Sequence, residues 1–320
     1  MRAAVFVVAV AAGAGCPATT PPAPPPPPPY AFPTKPLCPI AYGQTPTVLG
    51  HLDDGRLTEV SGLVSSPTTA DLVWVHNDSG DTAAIYALHA DGRLRAAVAL
   101  PVAVRDVEDI AAATCPDGRG PCLFIADTGN NAGTRTDASI IIVIEPVPDA
   151  TGALPATATV VATVPLSSTG LPAGIDIEAL AVVPDGETML VIEKVDAERA
   201  RVFALAAPYA STSATVVGTV RTESPAAVQY ARMVTSAAVH PSGTALVVRT
   251  YTGVFEARFS DVESLLDLGD VALGTVTFGP FSEPQGEAVG YSADGFGILT
   301  ISEADGRAAS EVAVNLLPCP

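Results

Sequence analysis

The feature that most constrains this chain is a repeat. Five times, a short apolar strand opened by acidic or polar residues leads through a turn into a second apolar strand that ends in polar residues. The first strands read EVSGLV (59–64), DVEDIA (106–111), DIEALA (176–181), MVTSAA (233–238) and QGEAVG (285–290). The second strands read DLVWVHND (71–78), CLFIADT (122–128), TMLVIEK (188–194), TALVVRT (244–250) and FGILTISE (296–303). Two more apolar runs follow in each of the first four units: AIYAL (84–88) with RAAVAL (95–100), SIIIVI (139–144) with ATVVATV (158–164), ARVFAL (200–205) with ATVVGTV (214–220), and GVFEARF (253–259) with VALGTVTF (271–278). The starts lie 47, 70, 57 and 52 residues apart.

Four-stranded units at this spacing are the blades of a propeller, because each sheet buries its faces only against the next. The expected fold is all-β, a five-bladed β-propeller, or six-bladed if the long second unit conceals a degenerate blade. One short helix is expected, near Asp261–Leu268. The fifth unit offers only a third strand, SEVAVNL (310–316), before the chain ends. Its missing outer strand is supplied by the N-terminal run TPTVLGHL (45–52), which ties the ring shut and removes an open edge. That closure places Cys38 beside Cys319. Cys115 and Cys122 flank the turn-rich PDGRGP segment and are placed to staple a hairpin. Setting Cys16 aside, four cysteines remain, and an even count in an exported chain points to two disulfides.

Composition removes several functions. An apolar fraction of 48% excludes wholesale disorder. Thirty-four acidic against 16 basic side chains, a formal charge of −18, repel a phosphate backbone, so no nucleic-acid partner is expected. No apolar run approaches the roughly 20 residues that span a bilayer. There is no GxSxG elbow, no His/Cys spacing for zinc and no phosphate-cradling loop ahead of a helix. Of four histidines, only His76 falls at the expected site.

The N-terminus reads as an address. Arg2, an apolar stretch from Ala3 to Ala12, and small residues ahead of Cys16 describe a secretory signal. Gly13-Ala14-Gly15-Cys16 resembles the bacterial lipoprotein cleavage box, with Gly13 where that box usually carries Leu. The resemblance implies a lipid on Cys16, a membrane partner through that anchor, and a place in the cell envelope or outside the cell. Twelve prolines in residues 17–39 impose polyproline II, a semi-rigid linker. The expected organisation is therefore a signal at 1–16, a linker at 17–39 and a propeller domain at 40–320, as a monomer.

The acidic residues collect at one place. In a propeller the start of each first strand and the end of each second strand lie at the same mouth of the central channel. Strand starts carry Glu59, Asp106, Asp176 and Gln285. Two residues on, facing the same way by strand alternation, stand Ser61, Glu108, Glu178, Thr235 and Glu287. Strand-two ends add Asp78, Asp127, Asn131, Lys194, Arg249 and Glu303. Carboxylates pressed against apolar strands are costly to desolvate unless paired or metal-bound, and hard divalent cations take such oxygen clusters. The expected metal ligands are Glu59, Asp106, Glu108, Asp127, Asp176, Glu178 and Glu287, with Ca²⁺ as the ion. Asp78, Asn131, Arg135, Lys194, Arg249 and Glu303 are the expected substrate contacts. The plain alternative is that such residues cap turns and tie neighbouring blades together.

These motifs resemble the secreted phytase-like propellers, also described as esterase-like activity of phytase. The matches are EVSGL with VWVHNDSGD (73–81), the VEDIA/FIADTGNN pair (107–131), IEALAVVPDGETMLVIEK (177–194), and QGEAV with TISE (300–303). The resemblance implies an exported bacterial propeller and a metal-dependent phosphoester hydrolase. It departs in the fourth unit, where Thr235 replaces Glu, and in its few basic residues: Lys194 is the only lysine after residue 35. Two other functions fit the same residues. One is glycoside hydrolysis by a pair among Glu108, Glu178 and Glu287, with aromatic platforms nearby. The other is a non-catalytic binding or envelope scaffold.

Overall fold

A computed structural model describes residues 30–39, 42, 45–209, 212–222, 230–278 and 283–320. The signal segment, Cys16 and the proline run 24–29 lie outside the described residues.

The chain builds five small sheets. Strand β1 (Thr47–His51) comes first but belongs to the last blade. Blade 1 holds β2 (Val60–Ser65), β3 (Leu72–Asn77), β4 (Ala84–His89) and β5 (Leu94–Ala99). Blade 2 holds β6 (Val107–Thr114), β7 (Pro121–Asp127), β8 (Ser139–Ile144) and β9 (Thr159–Pro165). Blade 3 holds β10 (Ile177–Val182), β11 (Thr188–Glu193), β12 (Ala200–Ala206) and β13 (Thr215–Arg221). Blade 4 opens with β14 (Val234–Val239), β15 (Ala245–Thr250) and β16 (Gly253–Arg258).

A one-turn helix, α1 (Val262–Leu266), follows, its first turn capped by Asp261, which accepts from the Ser264 amide. The apolar run 271–278 then divides. β17 (Gly269–Ala272) runs parallel to β13 as a fifth strand of blade 3, and β18 (Gly274–Phe278) completes blade 4. Leu273, 1% exposed, is the crossing point, its amide donating to the Arg221 carbonyl. Blade 5 holds β19 (Gln285–Tyr291), β20 (Gly297–Glu303) and β21 (Ala313–Pro318), and β1 pairs antiparallel with β21. The fold is a five-bladed β-propeller closed by its N-terminal strand, and the 70-residue second unit is one blade.

Inner strands β2, β6, β10, β14 and β19 pack each on the next, and β19 returns to β2. Five apolar clusters fill the spaces between neighbouring blades: Trp74 and Ile85 meet Leu123 and Ile141, and Leu63 and Tyr86 meet Leu299 and Ile301. Strands buried on both faces read as continuous apolar runs rather than alternating ones. That is why the second strands are so uniformly apolar.

Two disulfides are present. Cys38–Cys319 joins the two ends of the ring across 281 residues, and Cys115–Cys122 staples the β6–β7 hairpin. Both fit an oxidising compartment. Residues 30–38 lie against the face opposite the acidic mouth, where the Tyr30 amide donates to the Gly118 carbonyl and Arg258 donates to the Cys38 carbonyl. Among the described residues, no helix is long and apolar enough to cross a membrane.

Candidate metal centre

The site is built by a repeated irregularity. In every blade the pairing of the first two strands skips one inner-strand residue: Ser61, Glu108, Glu178, Thr235 and Glu287 in turn. A bulged residue leaves the ladder and its side chain is re-aimed, which is why bulges gather at functional rims. Alternation alone therefore does not set the direction of these five side chains. Where the bulged residue is short it ties blades together: Ser61 Oγ donates to the Glu108 carbonyl, and Thr235 Oγ1 to those of Gly286 and Glu287. Where it is glutamate, the reach is longer and a carboxyl group is delivered to the mouth.

Glu108 meets Asp106 and Asp78 there. One carboxylate oxygen from each lies within 4.8 Å of the others. Asp106 directly precedes β6 of blade 2, whereas Asp78 directly follows β3 of blade 1, its amide held by the Glu59 carbonyl. Glu108 is 2% exposed, and among the described residues its Oε1 has no hydrogen-bonding partner; nor has Asp78 Oδ1. Burial raises the pKa of Glu108 well above the usual carboxylate range, and the charges of Glu178, Asp78 and Asp106 add to it. Burial likewise raises Asp78, reinforced by Asp106. Gly129 closes the cradle: a Cβ there would lie 1.9 Å from Glu108 Oε1 and 2.4 Å from Asp106 Oδ2. Three convergent carboxylates, one oxygen buried without a partner, and backbone packed where no side chain fits are the donor set of a hard cation.

The remaining expected residues divide into groups. Glu178 is buried and paired with Lys194, whose Nζ lies 2.9 Å from its Oε1 and 5.6 Å from the centre of the Tyr251 ring. Burial raises the Glu178 pKa and Lys194 lowers it in part. Burial works against the charge of Lys194, yet Glu178 and Tyr251 hold it protonated above its ordinary range. Glu287 is fully enclosed and is raised by burial, then by the charges of Glu303 and Glu178. Gln285 Nε2 bridges Glu287 and Glu303, at 2.9 and 2.7 Å. Burial and the charge of Glu59 bring Glu303 to a pKa of about 7. Asp176 accepts the Asn130 amide at 2.6 Å.

Three residues are engaged in framework contacts. Asp127 accepts the amides of Arg105 and Asp106 and pairs with Arg135 at 2.7 Å. Arg135 also holds Asp137, and the buried Arg249 pairs with Glu283. Among the described residues, Lys194 is thus the cation that lines the mouth cleft. His76 is buried, with its pKa lowered to about 4 by burial, and its Nδ1 faces the Asn77 carbonyl. Trp74 lies in the core and donates to Glu145.

Two features gave no signal in the sequence. Asp109 follows the bulge of blade 2 and reaches into the channel, and Tyr230 and Tyr251 border the cleft beside Lys194. Asp109 stands in an acidic motif where its neighbour Glu108 draws the reading. Tyr230 lies in the loop before β14 and Tyr251 in the turn between β15 and β16, both outside the recurring strand motifs.

No protein-family model matches this sequence, and no curated protein is significantly similar to it. Solved structures that match include hydrazine synthase from Kuenenia stuttgartiensis, at 16% identity and a TM-score of 0.41, covering 79% of this chain and 70% of that one. Another is a protein from Bacteroides uniformis provisionally assigned as a 6-phosphogluconolactonase, at 18% identity and a TM-score of 0.38, covering 75% of this chain and 63% of the other.

Proposed function

We propose that this chain is an exported, lipid-anchored bacterial propeller that binds Ca²⁺ through Asp78, Asp106 and Glu108 and hydrolyses a phosphoester at that mouth. The observation that carries the reading is the buried Glu108 Oε1, which has no donor among the described residues while two further carboxylates crowd it. Like charges so placed are stable together only if protonated or neutralised by a cation. When bound, the ion supplies a Lewis acid for a phosphoryl oxygen and for a water. The chain's own part is to hold three carboxylates in one group at the mouth, beside the Glu178–Lys194 pair. Resemblance to the phytase-like propellers supports hydrolysis. The secretory pattern at residues 1–16 and the two disulfides support export, and the box at Gly13–Cys16 supports the anchor.

The test is thermal unfolding of the full chain in EDTA, Mg²⁺ and Ca²⁺, followed by turnover of p-nitrophenyl phosphate. A ligand at 100 times its Kd stabilises by about 2.7 kcal/mol. Ca²⁺ is expected to raise the unfolding temperature accordingly, and Glu108→Gln to abolish the rise. No rise with any divalent ion overturns the metal centre. Stabilisation without turnover leaves a cation-braced binding scaffold.

A further inference from the structure

Beside the carboxylate group the same mouth opens into a cleft of about 740 Å³, within the roughly 300–1,000 Å³ of small-molecule sites. Its lining differs in chemistry from the carboxylate group. Tyr230 and Tyr251 supply aromatic surface, and Asn131, Gln285 and Asp176 supply polar groups. We infer that this cleft binds an uncharged saccharide, with Tyr230 as the platform on which a sugar ring stacks.

Tyr230 carries the inference. It is 48% exposed, one of few large apolar side chains left in solvent among the described residues. Its backbone sits at φ +63°, in the left-handed region that a bulky residue occupies at a cost. Strain of this kind persists where the surroundings enforce it, and it gathers at ligand clamps. A tyrosine ring offers a rigid, amphipathic face at low entropic cost, suited to the apolar C–H face of a sugar.

The polar groups suit hydroxyls. Gln285 uses its amide nitrogen on Glu287 and Glu303, which fixes the side chain and leaves its carbonyl as an acceptor. Asp176 accepts the Asn130 amide at one oxygen, and the exposed Asn131 amide offers both a donor and an acceptor. The field selects against polyanions, because Asp176, Glu178, Glu287 and Glu303 surround the one ammonium, Lys194, already paired. A neutral, hydroxyl-rich ring meets every one of these conditions. The inference does not rest on the cation.

The experiment is saturation-transfer NMR on the full chain in EDTA, with maltotetraose, cellotetraose, chitotetraose and, as the anionic control, tetragalacturonate. At least one neutral tetrasaccharide is expected to bind saturably, and tetragalacturonate at least tenfold more weakly. Tyr230→Ala should weaken binding at least tenfold with an unchanged unfolding temperature, and Tyr230→Trp should retain it. Asn131→Ala, at an exposed position, provides a second variant and should weaken binding as well. The inference is overturned if none of the three neutral sugars binds, if Tyr230→Ala binds like the parent, if tetragalacturonate binds best, or if binding requires Ca²⁺. A failed Ca²⁺ thermal shift with intact sugar binding would remove the metal reading alone.

Discussion

The Asp109 carboxylate accepts a 3.0 Å hydrogen bond from the amide of Ala237, a residue 128 positions further along the chain. Its same oxygen accepts the Leu180 amide at 2.8 Å, and its other oxygen accepts from Ile110 and Ser236. Blades 2, 3 and 4 are thus joined at the channel through one side chain. Inner strands of a propeller have an edge with no strand partner, so their amides need another acceptor. At the positions equivalent to Asp109 in the other blades stand Gly62, Ala179, Ser236 and Ala288, small enough to leave it room.

Removal of this carboxylate should therefore cost stability rather than cation binding. Burial pushes the Asp109 pKa well up, and the donors aimed at it oppose that rise. Asp109→Ala strands several buried donors, each worth about 1–3 kcal/mol, so a loss of about 3–5 kcal/mol is expected. Asp109→Asn should also destabilise, because its NH₂ group would face donors. Urea unfolding measures both, and an Ala variant within 1 kcal/mol of the parent would refute the account.

Gly129→Ala tests the cradle from the backbone side. The new methyl would overlap Glu108 Oε1 and Asp106 Oδ2 and force the carboxylates apart. The expected result is loss of most Ca²⁺-dependent stabilisation, with a smaller change in the EDTA-treated protein. An unchanged Ca²⁺ response would show that the ion, if bound, lies elsewhere.

The repeat made the architecture legible, because each blade needs the same apolar strands at the same spacing. Closure was legible too, since a three-stranded last unit needs a partner and TPTVLGHL was the run available. The division of 271–278 between two blades was not, because a continuous apolar run carries no mark of where it changes sheets. Glu108 and Asp106 could be foreseen at one mouth. The sequence puts Asp78 at that mouth too, among the substrate contacts; that it joins the carboxylate group, while Asp127 is engaged by Arg135, depends on contacts between loops that no spacing records. Arg135 and Arg249 likewise read as anion contacts in a chain poor in bases, and only packing reveals their carboxylate partners.

The two disulfides should differ in worth. In the chain-entropy description, stabilisation grows with the logarithm of the loop closed, giving about 5–6 kcal/mol for a separation of 281 residues and about 2–3 kcal/mol for one of 7. Replacing Cys38 and Cys319 by Ser is expected to lower stability roughly twice as much as replacing Cys115 and Cys122. The first pair also anchors the closing strand, so its loss should expose the β21 edge to proteolysis. Equal effects in denaturant would show that closure by β1 pairing suffices.

Without a cation, the stability of the propeller should fall as pH rises, the reverse of an ordinary acid-rich protein. The carboxyls of Glu108, Glu178, Glu287 and Glu303 all have pKa values raised in the folded state, chiefly by burial. In the window between their ordinary values and their folded ones, the folded chain binds more protons than the unfolded chain, so unfolding becomes easier with each step upward in pH. For Glu303 that window runs from about 4.5 to about 7. Unfolding in EDTA is expected to show highest stability near pH 5 and a steady loss toward pH 8. Ca²⁺ should flatten or invert the slope, because the ionised carboxylates that destabilise the empty mouth are the form that binds the ion. Glu303→Gln should reduce the slope in EDTA. A profile in EDTA that rises from pH 5 to 8 would mean that these carboxylates are neutralised by contacts within the folded chain.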